Sequence, residues 1–151
     1  MGAREGRAVV EAVVARLEWV LVDPTEPHTP ADFVPPTDVE VLVAAGSVAA
    51  AVAAVAFHAV RLLRSEHGPP DFMLAGTEAA LIDATPGSGI VERRAGDLFG
   101  LACRGENQTM LRLQAEQALH RLPPGEALPL LAAVLELFVA HARRLRHPGP
   151  C

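Results

Sequence analysis

From Val41 to Val60 the chain carries no formally charged side chain, and His58 is the only titratable one. Valine and alanine fill most of the stretch, with Leu42 and Phe57 as its largest apolar side chains. Start and stop signals bracket it. Thr37-Asp38-Val39-Glu40 has the spacing of a capping box, in which hydroxyl and carboxylate each take one of the first free amides of a helix. His67-Gly68-Pro69-Pro70 reads as a terminator, a left-handed glycine followed by residues that cannot continue the ladder. The spacing predicts one long central helix over about 38–67, roughly 45 Å at 1.5 Å per residue. A helix so long and so apolar must be enclosed, by protein or by lipid.

Read on a wheel, this helix has three faces. Val41, Ala45, Val48, Val52, Val55, Ala59 and Leu63 follow steps of four and three, which is a packing seam. Gly46, Ala49, Ala50 and Ala53 make a smooth face that lets another helix approach closely. Glu40, Ser47, Ala51, Ala54, His58, Arg61 and Ser65 form a polar-to-small stripe that predicts water or a polar partner along one edge, as in a soluble bundle. The membrane alternative is marginal. The apolar residues of 41–60 supply roughly −3 kcal/mol on an insertion scale where one central charge costs about +3, and Gly46, Ser47 and His58 oppose insertion. In a single-span reading Arg61 and Arg64 would place the C-terminal side in the cytoplasm.

The flanks are helical as well. Residues 3–22 set Val10, Val13, Val14, Leu17, Val20 and Leu21 on one face, with Arg7 and Glu11 as an i,i+4 pair elsewhere. Residues 23–36 hold five prolines and read as an extended connector, docked only where Phe33 and Val34 reach the core. Residues 72–83 leave room for a short β-hairpin, with Thr77 equally placed to cap a brief helix, and Ile90–Ala102 reads as either a helix or a second hairpin turning at Ala95-Gly96-Asp97. Leu111, Ala115, Ala118 and Leu122 mark an amphipathic helix over 106–122. Pro123-Pro124-Gly125 breaks it, and Leu128, Leu131, Leu135, Phe138 and Leu145 mark another over 126–146. The short break predicts an antiparallel helical hairpin. The fold class is thus mainly α, a single helical-bundle-like domain over 1–151 with a long central helix and a C-terminal helical hairpin.

A chain of 151 residues can bury close to ~70% of its unfolded surface, so a core is available without disulfide or metal. Cys103 and Cys151 make no disulfide framework. All 13 basic residues are arginine, Tyr is absent, and Asn107, Ile82 and Ile90 are nearly alone of their kinds, which points to a GC-rich genome. Without lysine there is no Schiff base, phosphate-loop lysine or lysine general base. The net charge of −5 argues against a general nucleic-acid binder. Met1 to Gly6 has neither a secretion signal's apolar run nor a myristoylation pattern, so the expected location is cytoplasmic unless 41–60 inserts in a bilayer.

Chemistry-bearing residues do not assemble. His28, His58, His67, His120, His141 and His147 lack the pairing or cysteine spacing of a zinc site. His58, on an otherwise apolar helix, is the sharpest candidate for a buried ligand or pH switch, against the plainer reading of a polar-edge histidine. Cys103 has Arg104 beside it but no base in sequence, as in a buried structural thiol. Arg93-Arg94 and Arg143-Arg144-Leu145-Arg146 have no aromatic interleaving and read as solvated helix ends.

Glu92-Arg93-Arg94-Ala95-Gly96-Asp97-Leu98-Phe99 resembles the BH3 segment of the Bcl-2 apoptosis regulators, and Val9 to Leu17 is similar to their N-terminal BH4 helix. Glu92 stands at the segment's key apolar position, and no BH1 signature follows in order. The resemblance implies a helical regulator that binds through Arg94 and Asp97. With no triad, metal set or cofactor loop, and with surplus apolar helix faces, the sequence predicts a non-enzymatic interaction or adaptor domain that uses no cofactor. Its expected partner is a protein or a second copy, reached through Val41, Val48, Val52, Val55 and Leu63. A single-span membrane protein and a Bcl-2-like regulator are the alternatives.

Overall fold

The computed structural model describes residues 3–19, 29–67, 90–122 and 125–146. They form seven helices: α1 (Ala3–Arg16), α2 (Pro30–Phe33), α3 (Pro36–Ala45), α4 (Val48–His67), α5 (Ile90–Cys103), α6 (Gln108–Arg121) and α7 (Ala127–Arg146). The mainly helical, bundle-like class expected from the periodicity is what the chain adopts. The hairpin considered near 72–83 lies outside the described residues.

The long central helix is broken. α3 ends at Ala45, and Gly46 takes a left-handed conformation at φ 65°. The Ser47 N–H reaches back to the Leu42 carbonyl at 2.9 Å and the Gly46 N–H to Val43 at 3.2 Å, the paired bonds of a Schellman turn. The axes of α3 and α4 are bent by 117° at this corner. No single helix among the described residues is long and apolar enough to cross a membrane; only the bent pair of α3 and α4 reaches that length and composition together.

The corner exists because α1 packs on it. Gly6 is buried against Ala45 and Ser47, where a Cβ would collide with both. Arg16, at the other end of α1, donates from Nη1 to the Phe33 carbonyl at 2.7 Å and to the Asp38 carboxylate at 2.8 Å, which ties α1 to α2 and α3. The expected capping box at Thr37 does not form. Pro36 opens α3, Pro35 is its N-cap, and no side chain caps the end. Proline fits there because its fixed φ suits the first helical position and its missing N–H would have had no partner. Nor is the connector wholly extended: Pro30 opens α2 in the same way, and Asp32 accepts from the Thr29 N–H at 2.8 Å. Phe33 and Val34 dock in the core as expected.

α4 is the axis of the bundle, with α1, α5, α6 and α7 packed around it. Every residue from Ala51 to Ala56 is buried, so the small stripe through Ala51 and Ala54 faces protein rather than water. Among the stripe's described α4 side chains, His58 is half-buried and Arg61 exposed. α5 runs unbroken through Ala95-Gly96-Asp97, which decides for helix over hairpin, and it stops at Gly105 in a second Schellman turn. α6 buries Leu111, Ala115, Ala118 and Leu122, the face its spacing defined. α6 and α7 follow one another across a short break, yet both pack chiefly on α4 rather than on each other, and α7 adds α5. A helix lined with alanine lets two neighbours approach closely, and each buried Val or Leu there is worth about 1.5–3 kcal/mol.

Candidate interaction surface

The residues expected to mediate contact divide between core and surface. Val48, Val52, Val55 and Leu63 are buried in this chain's own bundle, taken up by the helices around α4. Val41 belongs to α3 and is half-buried. Arg94 and Asp97 lie on the outer side of α5 as an i,i+3 pair with 3.9 Å between Nη1 and the carboxylate. The BH3-like stretch turns Ala95, Gly96, Leu98 and Phe99 inward, so its apolar side is core and only its polar side is presented.

The candidate chemical groups are placed structurally. His58 is half-buried, edge-to-face with Phe57 at 5.2 Å, and the Arg61 guanidinium lies 5.6 Å over the same ring. Burial, and secondarily the Arg61 charge, lower its pKa below the ordinary value. Among the described residues the fully buried histidine is His141, which spacing did not single out. Its Nδ1 lies 2.7 Å from the Leu137 carbonyl, which can only accept, so that nitrogen carries the hydrogen. The ring stacks on Phe99 with centroids 4.7 Å apart. Its position one helical turn beyond Leu137, within the apolar repeat of α7, was the available sequence signal. Cys103 is a fully buried residue of the core. No group of three or more His, Cys, Asp or Glu among the described residues could hold a metal ion.

A surface of a different kind runs along α7. Ala127 to Ala142 holds more apolar side chains than one helix face can bury. Leu130, Val134, Phe138 and His141 go fully inward, whereas Leu128 and Ala132 remain half-buried and Pro129 exposed. On one side of this strip α2 and α3 raise a wall of Ala31, Val34, Pro36 and Val39, enclosing with Leu128, Leu131 and Leu135 a trough of about 480 Å³. Among the described residues Glu40 is its only ionisable lining residue. On the other side Ile90 and Val91, at the start of α5, face Pro129, Ala132 and Ala133 across a second space of about 460 Å³, edged by Glu92, Glu126 and Glu136. Ala132 belongs to both, so the two spaces flank one low ridge. The other exposed large apolar side chains, Trp19, Val43, Met110 and Leu113, line neither.

A third cleft, of about 500 Å³, lies between α1, α4 and α6 and is lined by Arg7, Ser47, Gln108, Thr109 and Arg112. Arg7 is exposed, and Arg112 is exposed and paired with Glu116 at 3.3 Å. The cleft therefore has no desolvated charge that would hold an anion tightly.

No protein-family model, curated protein or solved structure matches this chain.

Proposed function

We propose that this chain is a non-enzymatic protein-interaction module that binds through the trough along α7. The observation that carries the reading is a trough of apolar lining in which Ala31 and Pro36 are exposed and Val39, Leu128 and Ala132 half-buried, over a base of buried Val34, Leu131 and Leu135. Contiguous exposed apolar surface is costly in water, and its common use is a binding partner. A small-molecule site needs convergent polar groups to fix its ligand, and among the described residues this one has a single carboxylate in its lining. A row of partner side chains matches it better. Self-association through Val48, Val52, Val55 and Leu63, the use first expected for them, draws no support from their positions inside the bundle.

The test uses the full chain and an Ala132→Trp variant, in which an indole fills the half-buried ridge. Both are checked first for the same helicity and cooperative unfolding. Quantitative affinity capture should then recover at least one protein with wild type and lose it with the variant, and the purified pair should bind with defined stoichiometry. Equal recovery by the two chains would overturn the reading.

A further inference from the structure

We infer that the occupant of the α7 trough is a basic amphipathic helix of another protein; the inference rests on the trough being the binding surface and names the class of partner it takes. Shape comes first. The floor is a helical strip with Ala132 as its ridge, half-buried Leu128 and buried Leu135 on one side and exposed Pro129, buried Ala133 and exposed Glu136 on the other, at spacings of three and four. Such a surface has the ridges and grooves into which another helix packs. Strand addition needs an open sheet edge, and no strand occurs among the described residues. From Glu126 to Glu136 the strip is roughly 15 Å long at 1.5 Å per residue, enough for about three turns of a helix laid along it.

Charge then selects the kind of helix. Among the described residues, the ionisable ones lining the two spaces are Glu40, Glu92, Glu126 and Glu136, with no arginine or histidine. Glu92 already has an interaction of its own, so Glu40, Glu126 and Glu136 carry the argument. They stand on both flanks of the apolar floor, Glu40 on α3 and Glu126 and Glu136 beyond the ridge. A partner with an apolar stripe bordered by Lys or Arg meets both conditions at once, whereas an acidic partner meets like charge on each side. The net charge of −5 adds long-range attraction for the same class. A second copy is disfavoured on the same ground, since groove-to-groove pairing would set these glutamates against their own counterparts.

Two designed fluorescent helices of about five turns, with one leucine stripe and flanked by Lys in one and Glu in the other, provide the probe. Anisotropy should show the Lys-flanked helix binding the full chain at least about tenfold more tightly, with the difference shrinking as salt rises from about 0.05 M to about 0.5 M. Ala132→Trp should abolish binding, and the double variant Glu126→Lys, Glu136→Lys should shift preference to the Glu-flanked helix. Binding of both helices equally, still lost in Ala132→Trp, would overturn the basic partner and leave the trough as the site. Failure of the Lys-flanked helix to bind, or binding indifferent to Ala132→Trp, would overturn the helix proposal. The reading of the trough itself falls only if affinity capture is also unchanged by that variant. A concentration-dependent dimer in light scattering, or binding to anionic vesicles, that Ala132→Trp removes would assign the trough to a second copy or a lipid surface and likewise overturn the basic helix.

Discussion

Gly6 shows how much one missing methyl group decides in this bundle. A Cβ there would stand 2.8 Å from Ala45 Cβ and against the Ser47 hydroxyl. The hydroxyl can rotate away, but the Ala45 methyl is fixed to the backbone of α3. Helix propensity favours Gly6→Ala by about 1 kcal/mol, and overpacking opposes it by about 1–3. The rigid neighbour makes the clash the larger effect, so Gly6→Ala should lower the urea midpoint at unchanged slope; a raised midpoint would refute the close crossing of α1 over the corner. His58 acts through protons instead. Burial first and Arg61 second hold its pKa in the native state below the ordinary 6.5. The unfolded chain therefore takes up the proton more readily, so stability is full above pH 6.5, falls as pH drops below it, and levels off beneath the lowered native value. His58→Gln should flatten that part of the stability profile. An NMR titration placing the His58 midpoint at or above 6.5 would contradict it.

Gly46 decides an element rather than a contact. At φ 65° a side chain meets no neighbour within 4 Å, yet the backbone conformation itself disfavours L-residues. Gly46→Val should cost about 1–2 kcal/mol and Gly46→Asn less, because asparagine tolerates the left-handed region. Equal midpoints for the two variants in thermal unfolding would count against the turn. This corner also marks the limit of what could be read from residues alone. The face of α6 was legible because Leu111, Ala115, Ala118 and Leu122 repeat at helical spacing with polar residues between them. The break before α4 was not, because a lone glycine in an alanine-rich helix costs only about 1 kcal/mol and leaves the pattern intact. What tips it is tertiary: Gly6 seats α1 on the corner, and Arg16 holds the far end through Asp38 and the Phe33 carbonyl. The same holds for the trough. Leu128, Leu131 and Leu135 were visible as apolar positions of α7, but that Leu131 and Leu135 are buried while Leu128 is only half-buried depends on how far α2 and α3 extend over them, and pairing α6 with α7 would have hidden that.

For the molecule as a whole, the question is where the apolar surplus of residues 41–60 goes. The bundle answers by turning most of it inward: Val48, Val52, Val55, Val60 and Leu63 are buried among α1, α5, α6 and α7. The two uses of the valine seam separate cleanly under one substitution. Val52 is fully buried, so Val52→Asp places an unpaired carboxylate in the core. Leaving such a charge uncompensated costs about 3–5 kcal/mol, a large part of the about 5–15 kcal/mol that holds a domain together. A seam internal to one chain then predicts loss of the cooperative thermal transition, because the carboxylate escapes burial only when the bundle unfolds. A seam between chains predicts the opposite, a folded and helical species of lower mass, because dissociation alone would return the new carboxylate to water. Circular dichroism and light scattering on the same sample separate the two. The internal seam also requires that Leu128→Arg, at the edge of the trough, keep the transition that Val52→Asp destroys, since a half-buried arginine can extend its charge past the rim into solvent.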